Sequence, residues 1–176
     1  MRICLSNNSK TDRCLSYSSI KCMIKVMFVC LGNICRSPMA ECVMSHLIKE
    51  SNLQEQIEVA SSATSFEEIG NPIYPPAQRK LRVMGIEVLD HRAVRITPKA
   101  AKEYDYILGM EERNVRAIKQ IIGNEARVSR LLDFSPEPRD IADPWWTGNF
   151  DITYDDILEG CECLLEHIKI HDLKIR

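Results

Sequence analysis

The sequence predicts an α/β fold in three layers: a doubly wound, four-stranded parallel sheet with helices on both faces. Three observations point there. Apolar runs of strand length alternate along the chain with helical patterns, the order expected of a parallel sheet. At 176 residues the chain is long enough for one domain with a substantial core. Its most distinctive segment, residues 26–38, reads as strand, loop and helix start, and doubly wound sheets place their ligands at such strand ends.

The elements follow in order. Val26-Met27-Phe28-Val29 forms the heart of a strand near 25–30. Pro38 suits the first turn of a helix, and Met39 to Ile48 continues it with apolar residues near helical spacing, giving a helix near 37–51. A second strand lies near 56–60. Gly70-Asn71-Pro72 and Tyr74-Pro75-Pro76 mark a turn-rich loop before a helix near 76–84. Thr97-Pro98 opens a helix near 98–102. Strands near 105–109 and 126–129 flank a helix near 111–122, and a last helix spans roughly 152–170. Residues 133–144 contain Pro136, Pro138 and Pro144 and read as an ordered loop crossing the surface.

Between the first strand and its helix stand Cys30-Leu31-Gly32-Asn33-Ile34-Cys35-Arg36-Ser37. A loop this short can curl its backbone N–H groups around one tetrahedral anion, and the following helix adds its positive end. Gly32 and Asn33 tolerate the positive φ such a turn demands. Arg36 offers a planar fork for two phosphate oxygens. The same positive field suits a sulfur nucleophile at Cys30, to which Ser37 can offer its hydroxyl. Together these residues point to phosphoryl transfer through cysteine. The leaving group of a phosphate ester departs more readily when protonated, and Asp133, Asp140 and Asp143 are the available acids on this reading alone.

Composition sets the bounds. Hydrophobic residues make up 45% and charged residues 27%, ordinary values for a globular domain. The formal net charge is −2, and the 23 Lys and Arg form no basic stripe, which argues against nucleic acid. No apolar run approaches membrane-spanning length. Eight cysteines without an export signal fit reduced thiols in a cytoplasm. Residues 1–22, with Cys4, Cys14 and Cys22, read as a flexible, non-catalytic extension, leaving 23–176 as the catalytic domain.

The segment VCLGNICRSPMAE resembles the active-site signature of the low-molecular-weight protein tyrosine phosphatases. Further blocks resemble the family in its order: Ala60 to Ser65, Asp90 to Arg95, Tyr104 to Met110, and Asp143-Pro144-Trp145-Trp146. The likeness covers roughly residues 24–170. It implies a phosphotyrosine phosphatase that forms a phosphocysteine intermediate and needs no metal or other cofactor. It also implies that the loop binds small anions such as phosphate or sulfate. Cys30 is then the nucleophile, Arg36 and the loop from Leu31 to Ser37 hold the phosphoryl group, and Ser61 and Asn33 belong to a supporting network.

Among the candidate acids the resemblance selects Asp143, which alone begins an Asp-Pro-aromatic motif. Trp145 and Trp146 stand where the family forms a wall of its cleft, and one is expected buried and the other exposed. Ile34 resembles the tyrosine-specific branch, whereas relatives acting on arginine phosphate tend to carry threonine. Cys35 resembles a neighbour that traps an oxidised nucleophile as a disulfide in some members. The supporting network usually includes a histidine before a Gly-Ile pair. Met84 precedes Gly85-Ile86 here, so that histidine is missing.

Rival readings are an arginine phosphatase, an arsenate reductase on the same scaffold, and a non-hydrolytic cysteine phosphocarrier. No cysteine lies between Cys42 and Cys161 to pass oxidation onwards, and a carrier has no use for Asp143. A non-catalytic binding relic would be expected to lose Cys30 or Arg36, and both are present. Cys161, Cys163, His167 and His171 on the last helix read as packing and surface groups rather than metal ligands. His46 and His91 read as surface or packing residues, and Glu111 as a solvated helix start.

Overall fold

A computed structural model describes residues 23–124 and 127–175. The extension assigned to residues 1–22 lies outside the described residues, as does residue 126 of the fourth expected strand. Among the described residues the sheet has four parallel strands, β1 (Ile24–Cys30), β2 (Ile57–Ala63), β3 (Tyr106–Gly109) and β4 (Val128–Arg130), in the order β2-β1-β3-β4. The helices are α1 (Arg36–Glu50), α2 (Pro75–Val83), α3 (Ala100–Glu103), α4 (Glu112–Ile122), α5 (Pro144–Thr147) and α6 (Phe150–His171), with a 3₁₀ turn at Leu131–Phe134.

The strand alternation makes the layers. On β1, Val26 and Phe28 face the larger core with α1 and α6, through Met39, Val43, Ile157, Cys161, Leu164 and their neighbours. Met27 and Val29 face the other way, onto Ile96, Ala100, Ile107 and Ile118 on the α3 and α4 side. Because β1 is central and covered on both faces, its run from Val26 to Cys30 is apolar throughout. Gly160 lets α6 approach the 3₁₀ turn: a Cβ there would lie 2.6 Å from Leu131 Cγ. Cys161 is fully buried in this core, as its place on the apolar face of α6 predicts.

Several boundaries differ from expectation for local reasons. β2 runs on to Ala63, because beyond its pairing with β1 it is bridged by Arg95. α6 begins two residues early, since the Asn149 side chain caps it by accepting from Ile152 N–H at 3.1 Å. Pro98 precedes α3 rather than opening it. Two short elements were not foreseen, the 3₁₀ turn and α5. The latter has Asp143 as N-cap, Pro144 in its first turn and Gly148 at φ +66° as its C-cap. No described helix is long and apolar enough to cross a membrane.

Candidate active site

The carboxyl ends of β1, β2 and β3 converge, and the loop from Cys30 to Ser37 fills the space above them. Thr64 and Ser65, just past β2, donate their N–H groups to the carbonyls of Cys30 and Leu31 at 2.9 and 3.0 Å, so β2 fixes where the loop leaves the sheet. Cys30 is buried, and its Sγ lies 3.1 Å from Ser37 Oγ and accepts from Asn33 N–H at 3.3 Å.

Asn33 organises the loop. It sits at φ +59°, which asparagine bears at lower cost than most residues, and it is fully buried. Its Nδ2 donates to Ser37 Oγ at 2.9 Å and to Ser61 Oγ at 2.8 Å, while its Oδ1 accepts from Val94 N–H at 3.0 Å. Ser61 passes its own proton on to Glu41 Oε2 at 2.5 Å. Ser37 Oγ accepts from Asn33, and its own proton has Cys30 Sγ at 3.1 Å and Ser62 O at 3.4 Å as acceptors.

The Asn33 carbonyl has a partner the sequence reading did not supply. His91 Nε2 lies 2.8 Å from it, so that nitrogen carries the proton, and His91 Nδ1 faces Glu41 Oε2 at 3.9 Å. His91 is therefore part of the network rather than a surface or incidental packing residue. Met84 is exposed at the end of α2. Burial holds Glu41 above the ordinary carboxylate range, opposed by the Ser61 hydroxyl and by His91.

Arg36, at the start of α1, is only 1% exposed. Its Nη1 donates to Ile141 O at 3.1 Å, and its Nη2 reaches Asp143 Oδ2 at 2.5 Å and Glu111 Oε1 at 3.2 Å. Glu111 is thus not a merely solvated helix start. It caps α4 in a reciprocal box with Asn114 and turns its carboxylate onto Arg36. Asp143 Oδ1 accepts from Trp145 N–H at 3.1 Å, which aims the other oxygen inward.

These groups open on a cleft of 460 Å³ lined by Cys30, Leu31, Gly32, Ile34, Cys35 and Arg36 on the loop side. Asp143, Trp145 and Trp146 form the facing wall, and Glu67 and Glu68 stand at the rim. Asn33, Ser37 and Ser61 lie behind the loop and support it. A larger groove of 940 Å³ between the ends of α1 and α6 is lined by Ser51, Leu53, Lys169 and Ile170 and by no cysteine.

The expected split of the two tryptophans is not found. Trp145 is 52% exposed and Trp146 77%, because α5 sits on the rim and turns only Pro144 into the body. Tyr74 covers part of Trp145, with ring centroids 5.0 Å apart, and Phe150 lies beyond Tyr74. Cys35 is buried, and its thiol is pushed up to about 12, first by burial and then by the charges of Cys30 and Asp143. Cys30 and Cys35 are both free.

The fold and this loop define a cysteine-based phosphatase class, and the comparisons agree. The family model for low molecular weight phosphotyrosine protein phosphatase matches residues 25–173, so the chain belongs to that family. The low molecular weight protein-tyrosine-phosphatase YfkJ of Bacillus subtilis is 37% identical over 151 residues, 84% of this chain and 97% of that protein. PtpA of Staphylococcus aureus, of the same description, is 39% identical over 148 residues, covering 83% of this chain and 94% of its own. The crystal structure of YfkJ superposes with a TM-score of 0.82 at 36% identity, over 86% of this chain and 98% of that one. A Drosophila arginine phosphatase shares the fold at 29% identity and a TM-score of 0.78, over 85% of this chain and all of its own.

Proposed function

We propose that this chain is a protein tyrosine phosphatase that hydrolyses phosphotyrosine through a phosphocysteine intermediate, with Cys30, Arg36 and Asp143 as its catalytic residues. One observation carries the reading: a buried cysteine sulfur, an arginine fork and a carboxylate open on one cleft, which loop residues 31, 32, 34 and 35 line beside them.

In the first step Cys30 Sγ attacks phosphorus, the S–P bond forms and the bond to the phenol oxygen breaks. Arg36 and the loop amides hold the equatorial oxygens where charge spreads. The phosphoryl group competes with Asp143 for Arg36 Nη2. Turning the fork towards phosphate frees Asp143 Oδ2 to give its proton to the departing phenol oxygen. In the second step Asp143 takes a proton from water, the water oxygen bonds to phosphorus, the S–P bond breaks and inorganic phosphate leaves. Trp145 and Trp146 offer flat faces to the phenol ring. Every reacting group belongs to the protein, the substrate or water.

Phosphotyrosine-containing proteins are the proposed substrates, and inorganic anions such as phosphate or sulfate the proposed small ligands of the loop. Ile34, lining the cleft, supports an aryl ester over the polar phosphoguanidine, although an arginine phosphatase shares the fold. A cytoplasmic location belongs to the same proposal, and the described cysteines are free thiols. So does a non-catalytic role for residues 1–22, which precede the family match.

The test is phosphate release from a phosphotyrosine peptide in EDTA. Turnover by the parent, none by Cys30→Ser and a loss of about 10²-fold or more in Asp143→Ala support the assignments. Hydrolysis of phosphoarginine but not phosphotyrosine overturns the substrate class. A phosphocysteine that accumulates without turnover makes the chain a carrier.

A further inference from the structure

Asp143 ends a stretch with almost no backbone pairing of its own. Residues 135–143 lie in no helix or strand, yet each of the four residues before the acid is fastened to the body, two of them to α6. Asp140 Oδ1 accepts from Arg130 Nη1 and from Glu112 N–H, both at 3.0 Å. Ile141 N–H donates to Met110 O at 2.8 Å, and its side chain is buried. Ala142 O accepts from Thr153 Oγ1 of α6 at 3.1 Å. Arg139 makes the widest grip. Its Nη2 reaches Asp156 Oδ1 and Glu159 Oε2, each at 2.6 Å, and its Nη1 reaches Glu159 Oε1 at 3.2 Å and Glu137 O at 3.1 Å.

We propose that Arg139 is a positioning residue for the proton donor: it clamps the acid loop onto α6 through Asp156 and Glu159 and so fixes where Asp143 stands. The proposal rests on the reading of Asp143 as acid and base. Thr153 and Asp156 are three residues apart on α6, so one helical face holds both Ala142, next to the acid, and Arg139. A rigid fork shared by two carboxylates restrains direction as well as distance, which a lysine would not. Arg139 is 38% exposed, so the ion pairs themselves add little stability. What the clamp supplies is geometry, and a displacement of about 1 Å can cost on the order of 10²-fold in rate.

The experiment compares kcat/KM for phosphotyrosine, whose phenol leaves poorly without a proton, with 2,4-dinitrophenyl phosphate, whose phenol leaves readily. Arg139→Gln is expected to slow phosphotyrosine about tenfold and the dinitrophenyl ester less than about twofold. In an Asp143→Ala background the same change is expected to add less than about twofold, because the group it positions is gone. Asp156→Asn removes one arm of the clamp, is expected to give the same pattern at smaller size, and decides the matter if Arg139→Gln folds poorly. Equal losses on both esters, or a full effect without Asp143, overturn the proposal and make Arg139 a stability residue. If Asp143→Ala itself spares phosphotyrosine turnover, the acid assignment falls and this inference with it. Failure of the Arg139 pattern alone leaves that assignment standing.

Discussion

The loop that carries Cys30 and the loop that carries Asp143 meet across one cleft, but they are held in opposite ways. The nucleophile loop is internal: Asn33, Arg36 and Ser37 are essentially buried, and each polar atom of Asn33 has a partner within the network. The acid loop is a strap over the surface, pinned by a backbone N–H of α4 and by side chains of α6 and the β4 end, and it finishes in two exposed tryptophans. A buried hydrogen-bond network tolerates few changes, because each lost partner strands another in low dielectric. A strap tied at several exposed points yields by degrees. Substitutions in the first region should therefore cost stability and rate together, and those in the second chiefly rate or selectivity.

Outside the three catalytic residues, the largest effect should come from Asn33. Asn33→Ala strands the Val94 N–H, takes away the amide that donates to Ser37 and Ser61, and forces alanine to φ +59° at a cost of about 1 kcal/mol. Phosphotyrosine kcat/KM is expected to fall about 10²-fold, with a lowered Tm. Asn33→Gly relieves the backbone and not the hydrogen bonds. Recovery of Tm without recovery of rate would show that the side chain, rather than φ, holds the nucleophile. Full recovery of both would mean that the network is incidental.

A smaller effect, with a sign that pH reveals, is expected at Glu41. Its carboxyl is raised above the ordinary 4.5 by burial, so the folded state prefers it neutral. That contribution to stability is present below 4.5 and is lost as pH rises through the raised folded value. Glutamine can still accept from Ser61 and never ionises. Glu41→Gln should thus gain in Tm relative to the parent between pH 4 and pH 7. A variant that loses ground over that interval would show that the ion pair with His91 outweighs burial.

How much of this was open to sequence reading follows the same division. The nucleophile loop is eight contiguous residues between an apolar strand and a helix, so local rules placed Cys30, Arg36, Ser37 and the positive φ of Asn33, although Gly32, expected to share it, has none. The β-α alternation gave the three layers for the same reason. Of the loop's supports, Ser61 came only through the family resemblance, and Glu41, His91 and Val94 were not legible, because they join it only when β2 and the segment after α2 fold beside α1. His91 in particular looked like any half-buried histidine. Glu111 carried a signal that was read too narrowly: an acid with Asn114 three residues on marks a helix cap, and a cap beside a strand end faces the ligand. The short helix α5 was announced by Asp143, Pro144 and Gly148 at N-cap, first turn and C-cap. The exposure of both tryptophans was not, since composition favours burying large rings and only the rim position of α5 overrides it.

Trp146 is therefore the mildest place to test the acid-loop side of the comparison. Its ring is 77% exposed and has no aromatic neighbour among the described residues, whereas Trp145 leans on Tyr74. Trp146→Ala should leave Tm within about 1 °C, as surface changes usually do. It should raise KM for phosphotyrosine peptides about threefold while altering kcat little, because stacking on the ring and its flanks acts on ground state and transition state alike. Trp145→Ala should do more, since it also removes a contact that orients the helix capped by Asp143. If the two variants behave alike, Trp145 is a binding surface only and Tyr74 has no part in holding the acid. If Trp146→Ala lowers kcat as well, the exposed ring reaches the reacting phosphate, and the strap is more closely coupled to the chemistry than its exposure implies.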